Sequence, residues 1–158
     1  MGTVKAADLF PFRGEVRQGT LLAVRSLPKE HLEWKPTGGV HSIADWLRHI
    51  AQREDWWIQA VVLGQERFTL RRNAKLAELP EMLTYLEDTR AATERLLLEW
   101  PAETLRELRE VATRGGWTGS RRQVSLHWIM AHQFDHERHH RAQIYLYLRL
   151  MGLEPPAS

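Results

Sequence analysis

A row of three histidines, spaced four residues apart, constrains this chain more than any other feature of its sequence. The residues are His132, His136 and His140, and they lie in a stretch, 120–151, that the pattern predicts to be one long helix. At about 100° per residue, the three imidazoles fall within roughly 80° of one helical face. The same face carries Ser125, Ile129, Gln143, Tyr147 and Leu150. We therefore expect this face to point into a core, where a metal ion is the simplest partner for several imidazole nitrogens.

The second predicted helix offers a histidine from a different part of the chain. It begins after Ser42, which can cap it together with Asp45, and it runs to Leu63, just before Gly64. His49 lies on this helix. Two histidines at i and i+4, with a third from a facing helix, provide three nitrogen ligands for zinc or a similar divalent ion. A fourth coordination position would stay open to water or substrate.

The predicted metal ligands are His49, His136 and His140. Spacing alone does not separate the pair His136 and His140 from the pair His132 and His136, and we expect His132 beside the ligands or in the pocket wall. No role is assigned to His139. Surface positions are predicted for His31, His41 and His127.

Two other metal motifs contain Glu137. The sequence His136-Glu137-Arg138-His139-His140 matches H-E-x-x-H, in which the glutamate is the general base of a zinc protease. Only eighteen residues follow the motif and no strand is predicted that could bind a peptide, so a protease is disfavoured. A di-iron bundle would need a second E-x-x-H, which is missing. We expect Glu137, about 100° from His136, at the rim of the site or hydrogen-bonded to a ligand's second nitrogen.

The apolar pattern predicts an all-α fold in one domain, 1–158. No convincing period-2 segment or internal repeat is present, and the connectors contain proline and glycine, so they are predicted to be loops. Four helices of about twenty residues or more indicate a four-helix bundle. The predicted helices span 8–26, 42–63, 79–100 and 120–151, and the predicted connectors span 27–40, 65–75 and 102–119.

Composition excludes several classes of function. There is no cysteine, so the chain has neither a disulfide framework nor a thiolate of its own, which fits a cytoplasmic protein. The net charge is only +2, and the short basic pairs Arg71-Arg72 and Arg121-Arg122 do not form the stripe that nucleic-acid binders use. No long uncharged run and no secretory signal are present, so no membrane partner is expected. Any thiol chemistry must use a sulfur that a small molecule brings.

The chain resembles the DinB-like (DinB/YfiT) metalloprotein family in its second and fourth predicted helices. The family's last-helix signature is similar to His-x-x-x-His-Arg-Gly-Gln-Ile, and here it reads His136 through Ile144, followed by a Leu-Arg-x-x-Gly ending at Gly152. The second-helix signature is similar to Ser42-Ile-Ala with His49 seven residues later and an aromatic pair, Trp56-Trp57, beyond it. One departure is Ala142, where the family usually has glycine.

This resemblance implies an up-down-down-up four-helix bundle with a divalent metal, zinc or nickel, on three histidines, and often a homodimer. It also implies a thiol S-transferase, a reaction in which a low-molecular-weight thiol such as bacillithiol, mycothiol or glutathione attacks an electrophile. The alternative is a non-catalytic protein, stress-related by the family's name, that binds metal or a small ligand. Both would use the same ligands.

The residues beside the ligands are predicted to wall a thiol-binding pocket. Arg53 could pair with a carboxylate of the thiol, and Trp56 and Tyr147 would contact the thiol. Further wall residues are Trp46, His132 and Gln143. Because Trp46, Trp56 and Trp57 cannot all point inward from one helix, we also expect self-association through faces rich in tryptophan and leucine.

Overall fold

A computed structural model describes residues 2–39, 41–65, 76–112 and 121–157 of the chain. Most of these residues are helical, and a small antiparallel pair of strands accompanies the helices. The α-helices are α1 (Arg13–Val24), α2 (Lys29–Glu33), α3 (Ile43–Trp56), α4 (Leu79–Glu99) and α5 (Leu126–Leu150). The strands are β1 (Leu108–Ala112) and β2 (Arg121–Ser125). A π-helical segment, Trp57–Val62, continues α3, and two short 3-10 helices span Ala6–Leu9 and Ala102–Arg106.

The four long helices pack around two apolar clusters. Helix α3 contacts both α4 and α5, and α1 contacts α5. The first cluster includes Val16, Trp57, Leu97 and Ile129. The second cluster includes Val24, Leu47, Leu86 and Ile144. In each long helix, buried polar residues lie in the chain between the two clusters, and they include Arg17, Thr20, Glu54, Thr89, Arg90, Thr93, Glu137 and His140.

Local sequence signals explain where α3 and α4 begin and end. Ser42 Oγ accepts a hydrogen bond from the Asp45 amide at 3.2 Å, and the Ser42 amide donates to Asp45 Oδ2 at 2.9 Å, which confirms the predicted capping box. Gly64 adopts φ = 65° after the π-helical segment, in the left-handed region that glycine tolerates without steric cost. The third predicted helix is confirmed as α4, with Pro80 in its first turn.

The first part of the chain differs from the predicted helix 8–26. The 3-10 helix Ala6–Leu9 ends before Pro11, and α1 begins only at Arg13. Proline at 11 supplies no amide for an i→i−4 bond and its ring clashes with the preceding turn, so the two segments stay separate. The predicted loop 27–40 is also wrong in part, because Pro28 precedes the short helix α2 and that helix buries Leu32.

The strands are the main correction to the all-α prediction. Strand β1 pairs antiparallel with β2, from Leu108 opposite Ser125 to Ala112 opposite Arg121. The predicted helix 120–151 therefore begins at Leu126, where Ser125 Oγ accepts from the Trp128 amide at 3.1 Å. Only one residue of each strand is known to be buried, Val111 and Val124, so the period-2 signal was too weak to detect.

Several sequence predictions fall on residues outside the described ranges. They concern most of the loop 65–75, including Arg71-Arg72, and the glycine-rich part of 102–119. Within the ranges that the structure describes, none of the helices combines the length and the apolar character that a membrane span requires.

Candidate metal centre

Three histidine side chains from two helices converge on one point. His49 Nε2 on α3 lies 3.0 Å from His136 Nε2 on α5, and His136 Nε2 lies 3.1 Å from His140 Nε2. All three ligand atoms are within 4.8 Å of one another, and among the described residues this is the one group of such donors that could hold a metal ion. The structure therefore brings together the three residues that the sequence singled out.

The nitrogen separations fit a small divalent ion. Zinc–nitrogen bonds of about 2.0–2.1 Å in a tetrahedral site place two ligand nitrogens about 3.3–3.4 Å apart. Two of the nitrogen separations, 3.0 and 3.1 Å, lie within a few tenths of an ångström of that value. Three neutral imidazoles suit zinc, nickel and related ions alike.

Neighbouring side chains hold His140 in the form that a metal needs. The amide oxygen of Gln143 accepts a hydrogen bond from His140 Nδ1 at 2.7 Å, which places the proton on Nδ1 and leaves a lone pair on Nε2. The Trp46 ring stacks on His140 with centroids 4.4 Å apart and an angle of 24° between the planes. These contacts orient His140 Nε2 toward the other two histidines.

The electrostatic environment favours neutral imidazoles. Burial, followed by the neighbouring His140 and Arg53, lowers the pKa of His49 to about 4. Burial, followed by His140 and His49, lowers the pKa of His136 to about 3. Burial also lowers the pKa of His140, although the hydrogen bond to Gln143 acts in the opposite direction. All three nitrogens are therefore available as ligands at neutral pH.

His132 lies beside the cluster rather than inside it. Its ring is 6.0 Å from the His136 ring and stacks on Trp128 at 4.7 Å, with only 9° between the planes. Trp57 contacts it edge-on at 5.6 Å. Burial, followed by the nearby Arg53 and Arg122, lowers the pKa of His132. His132 is therefore a neutral, half-buried neighbour of the site.

The residues predicted to bind the thiol lie in two places. Arg53 places its guanidinium carbon 5.3 Å from the centre of the Trp56 ring, and its charge helps to lower the pKa of His49 and of His136. Tyr147 makes an edge-to-face contact with Trp34 at 5.6 Å. Arg53 thus lies near the histidines and Trp56 lies beside Arg53, and ligand binding by all three residues stays a prediction.

The four remaining histidines divide between surface and site. His127 is exposed and stacks on Phe10, so its predicted surface position is confirmed. His41 is exposed, but its ring lies 4.5 Å from Trp46 at the edge of the site. His139 is exposed, with its ring 5.0 Å from His140. The surface prediction is wrong for His31, which is half-buried with Nδ1 shielded from solvent.

The tryptophans also pack differently from the prediction. Trp57 is buried, and Trp46 and Trp56 are half-buried, so all three do pack inward. Trp56 packs against the first apolar cluster, and its ring lies edge-on to Trp57 at 4.9 Å. None of the described tryptophans is exposed, which removes the tryptophan part of the argument for self-association.

The buried face of α5 is rotated from the one predicted. Its buried positions include Ile129, Gln133, Glu137, Ile144 and Leu148, whereas Leu150 is 58% exposed. The histidine row therefore lies at the edge of the buried face rather than along its centre. This rotation explains why His136 is half-buried while His140 is only 6% exposed.

Glu137 lies in the core, and its predicted position at the rim is wrong. It is 1% exposed, Arg17 Nε donates to its Oε1 at 2.8 Å, and Arg90 Nη2 donates to its Oε2 at 2.6 Å. Glu54 completes an ion quartet (Arg17, Glu54, Arg90, Glu137), accepting from Arg17 Nη2 at 2.7 Å and from Arg90 Nε at 2.9 Å. Because two guanidiniums hold Glu137, it is not free to act as the base of a zinc protease.

The other three members of the quartet were missed in the sequence. Arg17 is 5% exposed, Glu54 2% and Arg90 6%, and each comes from a different helix. A signal was present, because Glu54 lies four residues from both Ile50 and Ile58 and so occupies an apolar position of its helix. Sequence periodicity alone does not say which distant charge would neutralise it.

Comparison with known proteins supports the same fold. The chain is similar to a DinB-like protein from Bacillus cereus ATCC 10987, at 15% identity and a TM-score of 0.59, over 97% of this chain and 95% of that one. It is also similar to the DinB-like protein YjoA from Bacillus subtilis, at 22% identity and a TM-score of 0.59, over 96% and 94%. None of the curated proteins matches the chain. The DinB family model matches residues 3–158, and the chain therefore belongs to the DinB family.

Proposed function

We propose that this protein binds one divalent metal ion through His49, His136 and His140, and that it is a metal-dependent thiol S-transferase. The convergence of three Nε2 atoms, at separations of 3.0 and 3.1 Å for two pairs, carries the metal part of the proposal. Zinc and nickel are the expected ions because three imidazoles are a favourable ligand set for both.

The proposed reaction needs a sulfur nucleophile that the chain does not contain. A bound divalent ion would lower the pKa of a coordinated thiol below its usual value of about 8.5 and so supply thiolate at neutral pH. The chain's own residues would bind and orient the thiol and the electrophile. With no cysteine in the sequence, the sulfur would come from a low-molecular-weight thiol of the bacillithiol, mycothiol or glutathione class.

We assign the recognition of the thiol to Arg53, Trp56 and Tyr147. The Arg53 guanidinium suits a carboxylate of the thiol, and its effect on the pKa of His49 supports a position beside the metal ligands. The Arg53 guanidinium carbon lies over the Trp56 ring, 5.3 Å from the ring centre, so the two side chains can make a cation–π contact. Tyr147 would contact the part of the thiol that is farther from the sulfur.

The topology that suits this site is an up-down-down-up four-helix bundle in one domain, 1–158. In chain order, α1 and α5 run from the first apolar cluster to the second, and α3 and α4 run from the second to the first. This order supports the proposed bundle, because it is the order expected if α1 and α5 are antiparallel to α3 and α4. We expect the protein to work in the cytoplasm, where reduced small thiols are available.

We extend the proposal to a homodimer. Leu146 and Leu150 lie one turn apart on α5 and are 52% and 58% exposed, and Leu22 on α1 is 45% exposed. Such apolar side chains on a helix are suited to a second copy of the chain. Light scattering at micromolar concentration should give twice the chain mass of 18.5 kDa, and a monomer mass would contradict the dimer.

The metal site is tested by elemental analysis of protein purified without a histidine tag or nickel resin. One ion per chain is expected in the wild type, with substantial loss in His136→Ala and His140→Ala. His127→Ala is the matched control, because His127 is exposed and contacts Phe10 instead of the cluster. Unchanged occupancy in both cluster variants would overturn the assignment.

The reaction is tested with a panel of thiols and the electrophile monochlorobimane, with and without a chelator. The panel contains bacillithiol, mycothiol, glutathione and coenzyme A. A transferase would be supported if the protein accelerates the reaction of one of these thiols. The acceleration should be lost when the chelator is added and in the His140→Ala variant. Metal-loaded protein that accelerates none of the four would favour a binding protein without turnover.

A further inference from the structure

We propose that the ion quartet is a positioning device for the three histidines and that it sets the distance between the helices that carry them. This inference rests on the proposed metal site. Glu54 and Glu137 belong to α3 and α5, the two helices that carry the histidines. Arg17 and Arg90 belong to α1 and α4, which carry none of the three.

The quartet is closed on itself. Each arginine contacts both carboxylates: Arg17 reaches Glu54 at 2.7 Å and Glu137 at 2.8 Å, and Arg90 reaches them at 2.9 and 2.6 Å. The remaining donors are also engaged, since Arg17 Nη1 donates to the Leu86 carbonyl and Arg90 Nη1 donates to the Arg13 carbonyl at 3.1 Å. Two positive and two negative charges cancel, so no charge is left to hold a further ligand.

The two acids are close in sequence to the proposed metal ligands. Glu137 immediately follows His136 and precedes His140 by three residues, and Glu54 follows His49 by five residues on the same helix. A helix is stiff over such a short distance, so fixing each carboxylate also fixes the neighbouring imidazoles along the helix axis. The arginines thereby connect the two halves of the metal site through the other two helices.

The tolerance of a metal site makes this connection important. Metal–ligand distances in proteins are held within about 0.2 Å, and supporting residues must hold a functional site within about 0.5 Å. Apolar contacts are non-directional, so they specify the relative position of two helices less sharply than directional contacts do. Four directional ion pairs at one level of the core restrict that freedom.

Net stability is a weaker explanation of the quartet. Replacing a buried ion network by apolar residues of similar volume is often neutral or stabilising, because burial removes the hydration of every charge. Each of the four side chains is at most 8% exposed, so the cost of desolvation applies almost in full. A network of this kind is better explained by the geometry that it selects.

The test compares metal coordination with stability. The principal variant replaces the whole quartet by apolar residues, Arg17→Met, Glu54→Leu, Arg90→Met and Glu137→Leu. We expect it to unfold cooperatively in urea but to bind Co²⁺ at least tenfold more weakly, with a changed visible absorption spectrum. The Co²⁺ spectrum reports the geometry of the ligands, which a loss of stability alone does not change.

Two conservative variants cover the case in which the principal variant does not fold. Glu137→Gln and Arg90→Lys keep the side-chain volumes approximately and each weakens part of the quartet. The matched control is Glu94→Gln, because Glu94 accepts from Arg13 Nε at 2.8 Å and links α1 to α4 without involving the helices that carry the histidines. The control should leave both the Co²⁺ affinity and the spectrum unchanged.

A second measurement separates this inference from the proposed function. Imidazole ¹⁵N NMR spectra of metal-free protein report the tautomers and contacts of the three histidines, and we expect them to change in the quartet variants and not in Glu94→Gln. Wild-type protein that binds no Co²⁺ would contradict the proposed function, and the imidazole spectra would then decide the positioning role. The positioning role would be overturned by quartet variants whose imidazole spectra match the wild type. If the wild type binds Co²⁺, the variants would also have to bind it with wild-type affinity.

Discussion

The ion quartet and the histidine cluster both use side chains of α3 and α5, and the two groups are satisfied in opposite ways. In the quartet, two carboxylates face two guanidiniums, and every charge has a partner of the opposite sign within 3 Å. In the histidine cluster, three neutral nitrogens face one another at separations as short as 3.0 Å, with no opposite charge between them. The quartet is complete without any ligand, whereas the histidine cluster brings together three nitrogens that could hold a metal ion.

The pKa directions express the same contrast. Burial alone would raise the pKa of Glu54, but Arg90 and Arg17 outweigh it and hold that pKa below its usual range. Burial and the neighbouring histidines act in the same direction on His136, and together they lower its pKa to about 3. A buried charge with a partner keeps its charge, and a histidine without one becomes neutral and available to a metal.

The largest effect is expected from removing one acid of the quartet. Glu137→Ala leaves two buried guanidiniums short of a partner, and breaking a buried ion network in this way costs about 3–5 kcal/mol of unfolding free energy. Urea denaturation monitored by circular dichroism measures this loss of unfolding free energy. Glu94→Ala, which removes a more exposed ion pair with Arg13, should cost about 1 kcal/mol or less. Equal losses in the two variants would show that the quartet is no different from a surface pair.

The next effect concerns the metal. An ion present at about 100 times its dissociation constant should raise the unfolding free energy by about 2.7 kcal/mol, because it binds the folded chain only. Thermal denaturation of untagged protein with and without Zn²⁺ measures this increase. His136→Ala should abolish it, because His136 Nε2 is the atom shared by both short separations. His127→Ala should keep the full increase, and equal behaviour of the two variants would remove His136 from the site.

A smaller effect is expected from the hydrogen bond that orients His140. Gln143→Ala removes the acceptor of the Nδ1 proton, and the loss of such a partner typically lowers metal affinity by about 10-fold or somewhat more. Competition with a chromophoric chelator measures the dissociation constant. Gln143→Glu should restore or increase the affinity, because a carboxylate accepts the same proton. Unchanged affinity in Gln143→Ala would mean that the stacking of Trp46 is sufficient to orient the ring.

The smallest effect is expected from pH acting on the metal-free protein. The pKa values of His49 and His136 are lowered to about 4 and about 3 when the chain is folded, against about 6.5 in the unfolded chain. At pH values between the folded and the unfolded pKa, the unfolded chain therefore binds more protons than the folded chain. Stability should fall as the pH decreases from about 6.5 toward 4. Both side chains are half-buried, so solvent screening keeps this loss modest.

Urea denaturation across this pH range tests the histidine contribution. The loss should be smaller in His49→Gln with His136→Gln than in the wild type. Glu54 contributes to stability for a different reason, because Arg90 and Arg17 outweigh burial and lower the pKa of its carboxyl group in the folded chain. That contribution should be lost only at more acidic pH, below the pKa of Glu54 in the unfolded chain. A wild-type slope that the double variant retains would contradict the assignment to these two histidines.

Some features follow from the sequence because their causes are local. The spacing of His136 and His140 places them on adjacent turns of any helix, and the capping of α3 by Ser42 and Asp45 depends only on neighbouring backbone amides. The helical period thus limited the adjacent ligands to two pairs, His136 with His140 or His132 with His136. His49 was the candidate from a different predicted helix, and its resemblance to a family signature agreed with that choice.

Other features depended on the tertiary structure. Which side of α5 faces the core is set by packing against α1 and α3, and a rotation of about 100°, or one residue, exchanges His136 for Glu137 at the buried position. The partners of Glu137 lie 47 and 120 residues away in the chain, so no local pattern identifies them. The pairing of β1 with β2 likewise became evident only in three dimensions. Local periodicity determines which residues share a face, and only long-range packing determines which face is buried and which charges meet there.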